Sequence, residues 1–143
     1  MSIADFSLKD RIAIVTGGSR GIGEAIAKGF AEQGATLILC SRKQEGVDKA
    51  AKEINDSGGK AVAIACNTGK PEAIAALWDR VKSEFGRVDI LVNNAAANPY
   101  FGPAIDISEG AFDKTFEVNV KGYFLMSQNA RSEERRVGKE CRL

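Results

Sequence analysis

The chain has 143 residues, 44% apolar and 27% charged, which suits one α/β-sized unit with a core of its own. Its net charge of +1 supplies no global field to draw nucleic acid or an anionic membrane, no apolar run reaches bilayer-spanning length, and Met1 to Leu8 has no signal-peptide pattern, so a cytoplasmic chain is expected. Histidine is absent, which removes His-based metal sites along with Ser-His-Asp and Cys-His catalysis.

Arg11 to Thr16 is short, apolar and β-branched, and a glycine cluster stops it, as for a buried parallel strand. From Gly21 to Gln33 the apolar residues Ile22, Ala25, Ile26 and Phe30 recur at helical spacing, and Gly34 stands at the C-terminal cap. The alternation continues with a strand over Ala35 to Cys40, a helix over Gln44 to Asp56, the turn Gly58-Gly59 and a strand over Ala61 to Cys66. Cys40 and Cys66 close these apolar runs and form no C-x-x-C pair with each other or with Cys141, so buried free thiols are expected. Pro71 opens a helix reaching Phe85, Gly86 ends it, and Arg87 to Asn93 reads as a fourth strand. Beyond Pro99 and Pro103, Ser108 caps a last helix with Phe112, Phe116, Val120, Phe124 and Met126 along one face. Strands alternating with helices of this length predict βαβ units: an α/β fold with a parallel sheet and helices on both faces.

Thr16-Gly-Gly-Ser-Arg-Gly-Ile-Gly23 lies between the first strand and the first helix, where phosphate-cradling loops occur. The glycines Gly17, Gly18, Gly21 and Gly23 do not fit G-x-G-x-x-G; they form T-G-x-x-x-G-x-G. Gly17 permits a tight turn, Gly21 a close approach of a pyrophosphate to backbone N–H groups, and Gly23 close packing of helix on strand; a purely structural strand-to-helix turn would also use such a cluster. Together with Asn93-Asn-Ala-Ala96 after the fourth strand and Val118-Asn-Val-Lys-Gly122 in the last helix, this loop resembles the short-chain dehydrogenase/reductase family over roughly Leu8 to Ala130. Asn98-Pro-Tyr-Phe-Gly-Pro103 is similar to the branch of NADPH-dependent carbonyl and retinal reductases.

The resemblance implies the first four strands of a Rossmann-type doubly wound sheet over 1–130, and a nicotinamide dinucleotide as cofactor. It places the backbone of Ser19, Arg20, Gly21 and Ile22 at the cofactor phosphates, with Gly17 and Gly23 shaping the loop. Asn94, Ala95 and Ala96 would line the ribose and nicotinamide side, and Asn119 would be the active-site asparagine that interrupts a helix and holds a water. Asn67, with Thr68 beside it, stands where the family usually has an Asp against the adenine.

Cofactor preference follows from the end of the second strand, Cys40-Ser-Arg-Lys43. NAD-binding sites of this type carry a carboxylate there for the ribose hydroxyls, whereas no Asp or Glu lies between Glu32 and Glu45. Ser41, Arg42 and Lys43, with Arg20 opposite, suit the 2′-phosphate of NADP(H) better than the ribose of NAD(H), although Arg42 and Lys43 are also what a solvated loop carries.

The resemblance also implies a fifth strand ending in serine and a Y-x-x-x-K helix. Neither occurs: four positions after Tyr100 and Tyr123 stand Ala104 and Ser127. Asn119 is then the sole catalytic member, and the chain is expected to be the cofactor-binding half of an NADP(H)-dependent carbonyl/alcohol oxidoreductase, inactive as it stands. The alternative is a non-catalytic NADP(H)-binding or interaction module that docks on a full-length relative. The parent is expected to be a homo-oligomer acting on a small carbonyl or alcohol. From Arg131 to Leu143 eight of thirteen residues are charged, and R-S-E-E-R-R-V-G-K-E-C resembles a translated sequencing adapter, so 131–143 is expected to be a non-family, artefactual tail.

Overall fold

The computed structural model describes residues 6–134. Four strands, β1 (Ile12–Thr16), β2 (Thr36–Ser41), β3 (Lys60–Ala65) and β4 (Ile90–Val92), alternate with α1 (Gly21–Glu32), α2 (Gln44–Asp56) and α3 (Pro71–Phe85). A 3₁₀ turn (Ala104–Asp106) precedes α4 (Glu109–Phe116), a π-helical stretch (Glu117–Gly122) and α5 (Tyr123–Glu134), which run on as one rod. All strand pairings are parallel, in the order β3-β2-β1-β4. This is the expected α/β architecture, a four-stranded portion of a Rossmann-type sheet.

Alternation of side chains along the strands divides the core between the two sheet faces. Ala13, Val15, Leu37 and Leu39 meet Ala27 of α1 and Val47, Ala50 and Ile54 of α2 on one face. Ile14, Ile38, Cys40 and Ile64 meet Ile74, Leu77, Trp78 and Val81 of α3 and Met126 of α5 on the other. Both Cys40 and Cys66 are buried free thiols, as expected.

β4 is shorter than the seven residues read from sequence, for a physical reason. It pairs only with β1, and Asp89 just before it works through both backbone and side chain: its N–H donates to the Ile12 carbonyl (2.9 Å), and its carboxylate accepts the Ile12 N–H (2.8 Å). Ile90, Leu91 and Val92 remain half-buried, whereas Ala13, Ile14 and Val15 are fully buried.

The α4–π–α5 rod departs from a simple amphipathic helix. Ser108 caps it through Oγ, which accepts the Ala111 N–H (3.3 Å). Residues spaced by four advance about 40° per step around a 3.6-residue helix. The i→i+5 turns of the π stretch hold more residues per turn and bring the stripe back. Two stripes of period four therefore run along the rod. Val118, Gly122 and Met126 face the sheet, and Phe112, Phe116, Val120 and Phe124 stay 48–63% exposed. Of the five residues read as one face, only Met126 is on the buried side. The helix continues through Glu134, and the remainder of the tail expected over 131–143 lies outside the described residues.

Candidate functional site

The chain runs from β1 outward through β2 to β3, then returns to place β4 on the other side of β1. The region beyond the carboxyl ends of the strands where this direction reverses is the usual ligand crevice in open α/β sheets. The site residues read from sequence lie at the last residue of β2, in the loops leaving the strands, in the first turn of α1 or on the rod.

Thr16, the last residue of β1, organises the first of these loops. It is 1% exposed, its hydroxyl donates to the Val92 carbonyl (3.0 Å) and accepts the N–H groups of Asn94 (2.9 Å) and Ala95 (3.0 Å). The Asn94 side chain returns the contact by donating to the carbonyls of Thr16 (2.9 Å) and Gly17 (3.3 Å). Gly17 has φ +67° where a Cβ would approach Asn94 and Ala95, and a Cβ on Gly23 would collide with the Gly17 carbonyl oxygen. The loop is thus held down on β4, and the Gly18 N–H, which donates to the Cys40 carbonyl (3.2 Å), ties it to β2 as well.

This geometry leaves α1 with its first turn open. Arg20 at its N-cap makes no side-chain cap bond, so the leading N–H groups are not satisfied in that way, and a Cβ placed on Gly21 would meet nothing within 4 Å. Free donors, the positive end of the helix dipole and open space beside Gly21 fit a phosphate group. Ser19 lies against Gly46 of α2, which brings this loop beside the β2–α2 turn. Arg20, Ile22, Arg42, Lys43 and Ala96 point to solvent around the crevice. Within the turn, the Ser41 hydroxyl donates to the Lys43 carbonyl (3.2 Å).

Asn67 and Thr68 leave β3 on the far side. The Asn67 Oδ1 accepts the Gly69 N–H (3.1 Å), Thr68 is buried, and its carbonyl presses on Gly122 of the π stretch so closely that a Cβ there has no room. Glu117 reinforces the contact by accepting from Lys114 (2.9 Å) and lying 3.9 Å from Lys70. The Lys114 ammonium holds the Glu117 carboxyl below its ordinary range, with Lys70 and Lys121 adding to the effect.

Asn119 lies in the middle of the π stretch, and its amide clamps Ala97: Nδ2 donates to the Ala97 carbonyl (2.9 Å), and Oδ1 accepts its N–H (2.8 Å). The side chain is therefore committed to the loop after β4. The backbone around it is π-helical. Asn93 has a structural task, donating to the Ser127 hydroxyl (3.0 Å) while its Oδ1 is buried without a partner. The Tyr100 hydroxyl donates to the Pro103 carbonyl (3.2 Å), local to its own loop.

Two groups of predicted residues are thus brought together directly: Gly17 and Gly23 with Asn94 and Ala95, and Thr68 with the π stretch that carries Asn119. Reading the sequence missed Thr16 and Ala97. A lone polar residue closing an apolar strand against a glycine turn was a usable signal for Thr16, whereas Ala97 acts only through its backbone and left none.

The family model described as "short chain dehydrogenase" matches residues 11–139. Dehydrogenase/reductase SDR family member 4 from Oryctolagus cuniculus is 40% identical over 121 residues, covering 85% of this chain and 46% of the relative. A metagenomic short-chain oxidoreductase crystallised in complex with NADP superposes with a TM-score of 0.84 at 36% identity, over 88% of this chain and 57% of that one. The L-sorbose reductase of Gluconobacter frateurii, complexed with NADPH and L-sorbose, gives a TM-score of 0.87 at 29% identity, over 93% and 51%. The chain spans about half the length of these proteins.

Proposed function

Because the chain belongs to the short-chain dehydrogenase/reductase family, we propose that it is the dinucleotide-binding portion of an oxidoreductase that prefers NADP(H) to NAD(H). In the whole protein the reaction is hydride transfer between the nicotinamide and a small carbonyl or alcohol, in the cytoplasm and within a homo-oligomer. The observation that carries the preference is the end of β2: Ser41-Arg42-Lys43 reaches solvent with two cations and no carboxylate to repel a 2′-phosphate. The NADP and NADPH bound by the two structural relatives support it.

In this reading the N–H groups of Ser19, Arg20, Gly21 and Ile22 hold the pyrophosphate at the open first turn of α1, while Arg42 and Lys43 bind the 2′-phosphate. Asn67 and Thr68 border the adenine, and Asn94, Ala95 and Ala96 form the wall towards the nicotinamide. When bound, the cofactor supplies or accepts the hydride. Asn119 fixes Ala97 and so the shape of that wall. The chain holds no Tyr-x-x-x-Lys pair to deliver the accompanying proton, so the 143 residues bind cofactor without turnover. The exposed Phe112, Phe116, Val120 and Phe124 stripe favours the second reading in one respect: a binding module could dock on a full-length relative through it.

Titration calorimetry tests the proposal. The chain is expected to bind NADPH more tightly than NADH, and Arg42→Ala to weaken NADPH roughly tenfold or more, the scale of a lost bond to a charged group, while sparing NADH. Indifference to both dinucleotides would overturn the reading. NADPH oxidation with simple ketones above a buffer control would overturn the claim of inactivity.

A further inference from the structure

We propose that Gln44 is a positioning residue for cofactor discrimination: its side-chain amide takes the place of one strand residue's N–H and carbonyl at the open edge of β3 and thereby fixes the Arg42–Lys43 turn. The inference rests on the NADP(H) reading above and names the residue that makes that turn rigid.

Among the described residues β3 is the last strand of the sheet on its side and pairs only with β2. In the β2–β3 ladder the Cys66 N–H donates to the Ser41 carbonyl (2.8 Å), so the backbone groups of Ala63 and Ala65 point the other way, to the edge. A further parallel strand would place there a residue whose N–H donates to one carbonyl and whose C=O accepts the N–H two residues later. The Gln44 amide does both. Oε1 accepts the Ala65 N–H (2.9 Å), and Nε2 donates to the Ala63 carbonyl (3.3 Å) and to the Asp48 carboxylate (2.8 Å). The donor and acceptor roles agree with the partners on each side, which sets the orientation of the amide.

Gln44 is the first residue of α2 and follows Lys43, an N-cap with no side-chain cap bond. At the other end of the turn Ser41 is paired with Ala65. Arg42 and Lys43 are therefore suspended between two anchors that converge on the same residue of β3, with the Ser41 hydroxyl bonded to the Lys43 carbonyl across the span. Removing the Gln44 anchor leaves the two cations present but no longer held towards one point. Asn55, near the end of α2, provides the internal control. It makes the same kind of edge bonds, to the N–H (2.8 Å) and carbonyl (2.9 Å) of Ala61, but far along the strand from the turn.

The test is fluorescence titration of the 143-residue chain with NADPH and with NADH at one salt concentration, for the wild type, Gln44→Met, Asn55→Ala and Arg42→Ala. Gln44→Met is expected to raise the NADPH dissociation constant roughly three- to tenfold, the scale of its lost hydrogen bonds, and to leave that for NADH about unchanged. Asn55→Ala lowers the melting temperature without moving the NADPH/NADH ratio. If Gln44→Met weakens neither dinucleotide, or both alike, while Arg42→Ala still removes the preference, this inference fails and the NADP(H) reading survives. A wild type with no preference defeats both. Should Gln44→Met not fold, amide exchange in the wild type decides: protection of Ala65 despite its place on a sheet edge supports the clamp, and exchange at the rate of an exposed amide overturns it.

Discussion

At the scale of single residues, the site depends on a hydroxyl that does no chemistry. Thr16 gives its one proton to Val92 and uses its lone pairs for Asn94 and Ala95, so three backbone groups from the end of β4 and the loop after it converge on one buried oxygen. Thr16→Val keeps the shape and removes the oxygen. It is expected to destabilise the chain by about 1–3 kcal/mol, because two N–H groups lose their acceptor in a buried place. Chemical denaturation measures the loss, and an unchanged midpoint would mean that the hydroxyl is dispensable. The thiols make a second prediction. Burial pushes Cys66 up to about 11, and Cys40, more deeply buried, rises further. A raised value in the folded chain means that the folded state keeps protons the unfolded state releases. The contribution is complete below about pH 8.5, the ordinary thiol value, and is lost as pH climbs towards the folded values. Melting temperature should therefore fall between pH 8.5 and 11, and fall less steeply in the Cys40→Ala, Cys66→Ala double variant; parallel curves would refute this.

At the scale of elements, the rod formed by α4, the π stretch and α5 decides most of what the chain can meet. Its inner stripe is buried, with Gly122 against the Thr68 carbonyl and Met126 in the core, and its outer stripe, with Phe112 and Phe116 stacked at 4.5 Å, is left exposed among the described residues. An apolar stripe of this length marks an interaction surface. Phe116→Glu with Phe124→Glu is expected to turn a self-associating preparation into a monomer in sedimentation velocity while leaving NADPH affinity unchanged, since neither side chain belongs to the crevice. Wild-type protein that sediments as a monomer would remove the premise. The i,i+4 ion pairs on the helices, such as Lys52 with Asp56 and Arg80 with Glu84, are solvent-exposed and contribute little to this balance.

At the scale of the whole molecule, β4 is the end strand of the sheet among the described residues and carries three half-buried apolar residues, an arrangement prone to edge-to-edge pairing. The edge of β3 is better protected, because Gln44 and Asn55 occupy four of its outward-facing groups: the N–H and carbonyl of Ala61, the Ala63 carbonyl and the Ala65 N–H. Self-association should therefore concentrate at β4 and the rod, and hydrogen exchange on associated samples should protect the outward-facing amides of β4 ahead of Ala63. Protection spread evenly over both edges would contradict this asymmetry.

Much of this was readable in advance because it is local. Strand and helix order, the stops at Gly34 and Gly86, the cap at Ser108 and the glycine loop are each set by short-range sterics and by apolar periodicity, which neighbouring residues carry by themselves. The cations at Arg42 and Lys43 could likewise be placed, since a strand end next to a helix start leaves little freedom. What depended on tertiary structure is whatever joins distant segments: Thr16 to Asn94, Asn119 to Ala97, Gln44 to the edge of β3, and the turning of Phe112, Phe116, Val120 and Phe124 away from the core. Those pairings arise from hydrogen bonds to backbone groups, which look alike at every position in a sequence, and from a π turn whose phase no 3.6-residue pattern contains. Only the packed sheet brings the partners within reach.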